Sequence, residues 1–379
     1  MIRNMKIARR TEPAAFLLAL LIAIVMIGCQ PKEITSAKIY INNGEWERAF
    51  EQLKLAVETY PDNAEAHFLL GQAYGYRADF KNMLKQFELS LANSTKFEKE
   101  IQAEKEKYWI KKYNDGLSAQ GKRDFGRAEE LLKTAIFLEP ERYEAYVKLA
   151  VNYLNIGRND KAILIYQNLL QKEPDKTEYL RALANLYYSQ KMYADAIALL
   201  KKILPHDPSN RDDLANLALA YDSLGDTSKA LAAYKNAVIA NPTDKDLIFL
   251  FGVHQYKSHH FRKAVRLFKR ILKLDPQDFE SISNIGNAYL SLAESYRKKL
   301  RNGQKGGLHT SEIPQLRQSI IDNYHKAIQY LEKALALKPN HPALWRNLGV
   351  AYINIGNKDK GEQAFHTSEK IAVEQQSHR

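Results

Sequence analysis

The side chains able to do chemistry are few and poorly grouped. Ten histidines are spread along the chain, and the densest set, His254, His259 and His260, has neither zinc-ligand spacing nor a neighbouring cysteine. These three read as surface residues. Gly303-Gln304-Lys305-Gly306-Gly307 looks like a phosphate loop only superficially: the full spacing is missing and no strand precedes it. Catalytic and metal-ligand sets are therefore empty, no cofactor is implied, and the chain reads as a non-enzyme.

Charge is the more informative chemistry. Lysine and arginine number 56 against 44 acidic residues, a formal net charge of +12 that biases the chain towards acidic partners or anionic surfaces. One basic stripe, Arg262, Arg266, Lys269, Arg270 and Lys273, has spacings of 4, 3, 1 and 3 and falls on one helix face, as a solvated face would. Composition supports a folded body: 45% hydrophobic and 26% charged, with 17 glycines and 12 prolines. The single cysteine, Cys29, excludes an intrachain disulfide, so stability must come from packing.

Residues 1–28 read as an export signal. A basic segment ends at Arg10, and the apolar run from Ala14 to Ile27 is shorter than the roughly 20 residues a helix needs to cross a bilayer. Met26-Ile27-Gly28-Cys29 resembles a bacterial lipobox, with Met26 departing from the usual leucine. That resemblance implies lipidation of Cys29 and a short tether over 29–33. It also implies a lipid-anchored protein of the cell envelope, on the periplasmic face of the outer membrane because Gln30 rather than Asp follows the cysteine. Nucleic acid is a poor partner for a chain exported in this way.

The elements that position the remaining side chains emerge from self-similarity. Pro140, Pro174, Pro208, Pro242 and Pro276 recur every 34 residues, and Ala128, Ala162, Ala196, Ala230 and Ala264 keep the same interval. Each unit reads as two amphipathic helices. Tyr146, Leu149, Ala150 and Tyr153 mark the first, which Gly157 ends. Ala162, Tyr166 and Leu169 mark the second, which Pro174 stops. The alanines are small where the two helices must cross.

Trp345, Leu348, Gly349, Tyr352 and Gly356, followed by Phe365, resemble the tetratricopeptide (TPR) repeat. The resemblance implies an all-α, right-handed superhelical solenoid of about nine helix-turn-helix repeats over 34–375, one elongated domain, with a tail at 376–379. Extending the register gives repeats at 30–63, 64–97, 109–142, 143–176, 177–210, 211–244, 245–278, 279–341 and 342–375. Ser94 in place of proline and Gly361 in place of alanine weaken the outer units.

Two departures interrupt the period. Residues 98–108 are strong helix formers that read as a solvated helix beginning near Thr95. The eighth unit has 29 extra residues near 293–322, expected to lengthen both of its helices around a loop Arg301–Glu312. Arg297, Lys298, Lys299, Arg301 and Lys305 make this a basic loop: either a mobile segment without a role, or a contact for an acidic partner or lipid headgroups.

By the same resemblance the first helix of each unit lines a concave groove for protein or peptide partners. Its lining is expected to include Lys148, Arg181, Asn185, Tyr188, Asn216 and Phe249. Tyr256, Asn284, Asn287, Arg346 and Asn347 continue it. Amides pair with a peptide backbone and rings cover its side chains. Arg181, Asn185 and Asn216 are similar to part of a carboxylate clamp, but Asp246 and Leu250 stand where its further cations belong, and that reading fails. The expected function is a membrane-anchored scaffold binding protein partners in envelope assembly. The alternative is an activator of an envelope enzyme, such as a cell-wall synthase or hydrolase, acting through the insertion.

Overall fold

The computed structural model describes residues 30–306 and 311–377, with backbone alone at 304–306 and 377. Segment 1–28, Cys29 and residues 378–379 lie outside the described residues. Within them are 18 α-helices and no strand. The first eight are α1 (Lys32–Asn42), α2 (Trp46–Thr59), α3 (Ala64–Tyr76), α4 (Phe80–Asn93), α5 (Glu98–Gly121), α6 (Phe125–Leu138), α7 (Glu144–Asn155) and α8 (Asn159–Lys172). Then come α9 (Thr177–Ser189), α10 (Tyr193–Ile203), α11 (Arg211–Leu224), α12 (Thr227–Ala240), α13 (Lys245–Lys257) and α14 (Phe261–Leu274). The last four are α15 (Phe279–Gly306), α16 (Glu312–Leu337), α17 (Pro342–Asn354) and α18 (Lys358–Ser377). The helices form two compact units, residues 30–165 and 166–377.

Within each unit, helices adjacent in sequence pack together, as in an α-helical repeat solenoid. The first helices of successive pairs also touch: α3 with α5 and α5 with α7 in one unit, and α9 with α11, α11 with α13 and α15 with α17 in the other. The crossing inside a pair explains the periodic small residues. Ala128, Ala162, Ala196, Ala230 and Ala264 are all fully buried. On the first helices a glycine faces a bulky residue sixteen positions later: Gly71 meets Phe87, Gly116 meets Leu132, Gly252 meets Phe268 and Gly349 meets Phe365. In the eighth pair Gly286 meets Leu331, 45 positions on, the excess of 29 being the insertion. The insertion thus lengthens the hairpin while leaving its crossing point intact.

The turn between paired helices is equally regular. A residue with positive φ follows the first helix at Gly44, Ala78, Arg123, Gly157, Lys191, Gly225, His259 and Gly356. Four are not glycine, which is why glycine alone did not reveal the pattern. The next residue often caps the second helix: Asp79, Asp124 and Asp226 accept hydrogen bonds from the amides of Asn82, Arg127 and Lys229.

Several expectations need correction. Helix α1 begins at Lys32, with Pro31 at its N-cap, so Lys32 and Glu33, expected within the segment 29–33 ahead of the first helix, belong to that helix. At the other end α18 continues to Ser377, past the expected boundary at 375. The stretch 95–108 opens with a short 3₁₀ turn, Thr95–Phe97, continues as the start of α5 and is not wholly solvated. Ile101 is buried, and the Phe97 ring stacks on Phe68 at 4.8 Å. Nor is Arg301–Glu312 the loop. Helix α15 runs through Gly303 to Gly306, because lysine, arginine and leucine favour helix and one internal glycine costs only about 1 kcal/mol. Arg297, Lys298, Lys299 and Arg301 are therefore helical; the Lys305 side chain lies outside the described residues. Finally, His254 is not a surface residue: it is 2% exposed, held by Asp222 through a 2.9 Å contact from Nδ1 to Oδ1. His259 and His260 are exposed.

Candidate functional site

The first helices present a row of polar side chains, and in the second unit these side chains bond from one first helix to the next. Arg181 on α9 donates from Nε and Nη2 to the two carboxylate oxygens of Asp213 on α11, at 2.8 and 2.7 Å. Asp213 is fully buried in the first turn of α11, where the helix dipole favours a carboxylate. Its own amide donates to Asn210 Oδ1 at 3.0 Å. The bond to Asp213 raises the Arg181 pKa further. Four residues along α9, Asn185 Oδ1 accepts from Asn216 Nδ2 on α11 at 3.0 Å. One turn beyond, the Tyr188 and Ser223 hydroxyls lie 3.4 Å apart.

The row continues through the later pairs. Arg211 on α11 reaches forward to Asp244 at 2.6 Å and Asp246 at 2.5 Å, which raises its pKa, chiefly through the bond to Asp244. Asp246, read from sequence only as a missing cation, is thus a partner for Arg211. The Tyr256 and Ser291 hydroxyls are 2.9 Å apart, and Asn347 Nδ2 on α17 donates to Asn287 Oδ1 on α15 at 2.9 Å.

Each asparagine pair uses one donor and one acceptor, leaving one NH2 group and one carbonyl oxygen for a ligand. A peptide backbone presents the complementary alternation. Charge, by contrast, is mostly neutralised here, since Arg181 and Arg211 both have carboxylate partners.

Not every expected lining residue joins this row. Phe249 turns towards its own hairpin, its ring 5.5 Å from that of Phe268. Asn284 donates to the Glu280 carbonyl one turn back. Arg346 is exposed on α17. Lys148 belongs to the other unit, where it is half-buried on α7 and its carbonyl accepts from Gln120 Nε2 at 3.3 Å. Sequence reasoning missed Asp213, Ser223 and Ser291. A signal existed: these partners fall 32 to 35 residues after their mates, one repeat on.

The basic stripe on α14 keeps its solvent-facing side and also makes a few contacts. Lys269 Nζ lies 5.7 Å from the rings of both Tyr289 and Tyr330. Arg270 donates to the Pro242 carbonyl and Arg262 to the Tyr296 hydroxyl. Arg262, Arg266, Lys269 and Lys273 are exposed, as on a solvated face, and Arg270 is half-buried. Arg297 on α15 pairs with Glu294 at 3.1 Å and donates to Asn354 Oδ1 at 2.5 Å. Among the described residues no group of three or more His, Cys, Asp or Glu side chains could hold a metal ion, and no helix is long and apolar enough to cross a membrane.

Comparison with known proteins gives consistent matches. A segment of 82 residues, 21% of this chain, is 34% identical to the photosystem I assembly protein Ycf3 of Prochlorococcus marinus (strain MIT 9301). The match covers 47% of that protein, so the chain spans about half the length of its curated relative. A tetratricopeptide repeat protein from Parabacteroides merdae aligns at a TM-score of 0.45 with 17% identity, over 65% of this chain and 99% of that one. YrrB, a TPR protein with an unusual peptide-binding site, aligns at 0.42 with 21% identity, over 57% and 97%. The tetratricopeptide repeat model itself matches residues 119–186, 157–221, 187–248 and 322–376, and a second TPR repeat model matches 37–75. These segments fall on the same helix pairs that the 34-residue register and the crossing glycines define, and the chain belongs to the tetratricopeptide repeat family.

Proposed function

We propose that this chain is a non-catalytic adaptor that binds an extended peptide segment of a protein partner along its first helices. The observation that carries this reading is the row of cross-helix pairs in the second unit. It fixes side chains in place while leaving amide donors and acceptors at Asn185/Asn216 and Asn287/Asn347. Fixed, half-satisfied amides bind a backbone with little further loss of side-chain entropy. Tyr188 and Tyr256, tethered through their hydroxyls, offer ring surface beside them.

The proposal includes anchoring. Cys29, the chain's only cysteine, follows an apolar run, and its acylation would hold the adaptor at a membrane of the cell envelope, raising the effective concentration of components that assemble there. Affinity capture from detergent-solubilised envelopes tests the binding face. The wild-type chain should retain specific proteins that the combined variant Asn185→Ala, Asn216→Ala, Tyr256→Ala releases. Equal capture by both would sink the proposed face. Radiolabelled palmitate should enter the wild-type chain and not Cys29→Ser; label in neither would remove the anchor.

A further inference from the structure

The insertion in the eighth pair does more than lengthen two helices. One 34-residue period after His259, the positive-φ residue of the seventh hairpin, comes Ala293, where the first helix of an ordinary unit would end. Here α15 instead runs on to Gly306. The added turns stand beside the start of α14 and close a cleft of about 720 Å³. Ser295, Tyr296 and Lys298, all past the normal end of the helix, form one wall. The other comes from the α13–α14 turn and the first turns of α14.

The lining combines two chemistries. Its cations are Arg262, Lys263, Arg266 and Lys298, with His259 and His260 on the turn, and no carboxylate lines it. Among the described residues Lys263, Arg266 and Lys298 take part in no ion pair, whereas Arg181, Arg211 and Arg297 each have a carboxylate. Its apolar part is Phe261, the buried Leu292 and the Tyr296 ring, which Arg262 holds from 5.8 Å. Like charges converging over an apolar floor repel one another and concentrate a positive field in the cleft, so an anionic ligand gains more there than on an open face. A single phosphate would fill little of this volume and ignore the floor. A ligand with carboxylates around an apolar group satisfies both.

We propose that this cleft binds an acidic peptide segment of a partner, with Asp or Glu side chains on Arg262, Lys263, Arg266 and Lys298 and an apolar side chain against Phe261 and Leu292. This rests on the reading of the chain as a protein-binding adaptor and adds a contact at the hairpin ends, apart from the first-helix row.

The test uses the full chain in a neutral detergent and a fluorescein-labelled peptide of aspartates and glutamates around one phenylalanine, read by fluorescence anisotropy. Saturable binding is expected. Arg266→Glu and Lys298→Glu, both exposed and outside the core, should each weaken it by about tenfold or more, and Lys85→Glu, exposed in the other unit, by less than about twofold. A peptide with alanine for the phenylalanine should bind more weakly by about tenfold or more, roughly the worth of a buried aromatic side chain. Circular dichroism checks that each variant keeps its helix content. Absence of probe binding, or binding by Arg266→Glu and Lys298→Glu as tight as that of the wild-type chain, overturns the cleft. So does variant-sensitive binding of inorganic phosphate or of phosphatidylglycerol vesicles in place of the peptide. Capture of envelope proteins that depends on Asn185 and Asn216 would still uphold the adaptor reading in each of those cases, so the two fail separately.

Discussion

Replacing Gly252 by alanine probes the packing rule on which every helix pair depends. A Cβ at that position would lie 2.6, 2.9 and 3.0 Å from Cε1, Cζ and Cδ1 of Phe268, a side chain that is fully buried and has nowhere to retreat. Overpacking of this kind costs about 1–3 kcal/mol, and three ring contacts put it near the top of that range. Alanine also improves helix propensity by about 1 kcal/mol, which leaves a net loss near 2 kcal/mol. In a Phe268→Leu background the ring is gone and the sign should reverse, so that Gly252→Ala becomes stabilising by up to about 1 kcal/mol. The chain already contains such a pair: Ala184 and Leu200, sixteen apart, are buried in one cluster. Because repeat arrays open locally, the assay is native-state hydrogen exchange of the full chain, read on peptides from α13 and α14. Exchange there should quicken about 30-fold in Gly252→Ala, the equivalent of 2 kcal/mol, and not in the double variant relative to Phe268→Leu alone. An equal effect in both backgrounds would refute the small-against-large account of the crossing.

The positive-φ turns give an opposed pair of expectations. Gly225→Ala should lower thermal stability by about 1–2 kcal/mol through backbone strain alone, since nothing lies within 4 Å of the new Cβ, and Lys191→Gly should raise it by a comparable or smaller amount. Thermal melts that move the same way in both would contradict the turn assignment. Asp213→Ala removes both bonds to Arg181 and should cost about 2–3 kcal/mol in protection of α9 and α11, whereas Arg211→Ala, exposed and multiply paired, should cost under about 1 kcal/mol. Equal losses at the two sites, measured by exchange, would show that burial of Asp213 is not what gives its pair weight.

The repeat was legible in sequence because it rests on exclusion of volume. Where two helices cross, only a small residue fits, so Ala128 through Ala264 keep their interval whatever the surface does. The turns were half legible. Gly157 and Gly356 announced themselves, but Ala78, Arg123, Lys191 and His259 adopt the same left-handed backbone at a cost that the packed helices on either side absorb. Polar partnerships were least legible. Asp213, Asp222 and Asp246 look like ordinary helix carboxylates until the neighbouring first helix brings Arg181, His254 and Arg211 to them. Reading His254 as a surface group failed for that reason: a histidine on a helix can be buried when a carboxylate one repeat away satisfies it. The basic segment at 297–301 was legible as charge, and so was the lengthening of both helices; what the glycines at 303, 306 and 307 hid was that the helix carries on past Arg301 to Gly306.

The two proposed binding faces differ in one respect that a single variable separates. On the first-helix row the charges are already paired within the chain, and what remains for a ligand is neutral amide and ring surface. In the cleft the charges of Lys263, Arg266 and Lys298 have no partner among the described residues, so a ligand must supply it. Screening length falls from about 10 Å at 0.1 M salt to about 3 Å at 1 M. Over that range binding of the acidic probe should weaken by more than about tenfold, while capture through Asn185 and Asn216 should change by no more than about twofold. Salt-insensitive probe binding would mean that the apolar floor, not the uncompensated cations, holds the peptide. Salt-sensitive capture that Arg266→Glu and Lys298→Glu leave unchanged would mean that charge outside the cleft contributes to the partner interface on the first helices.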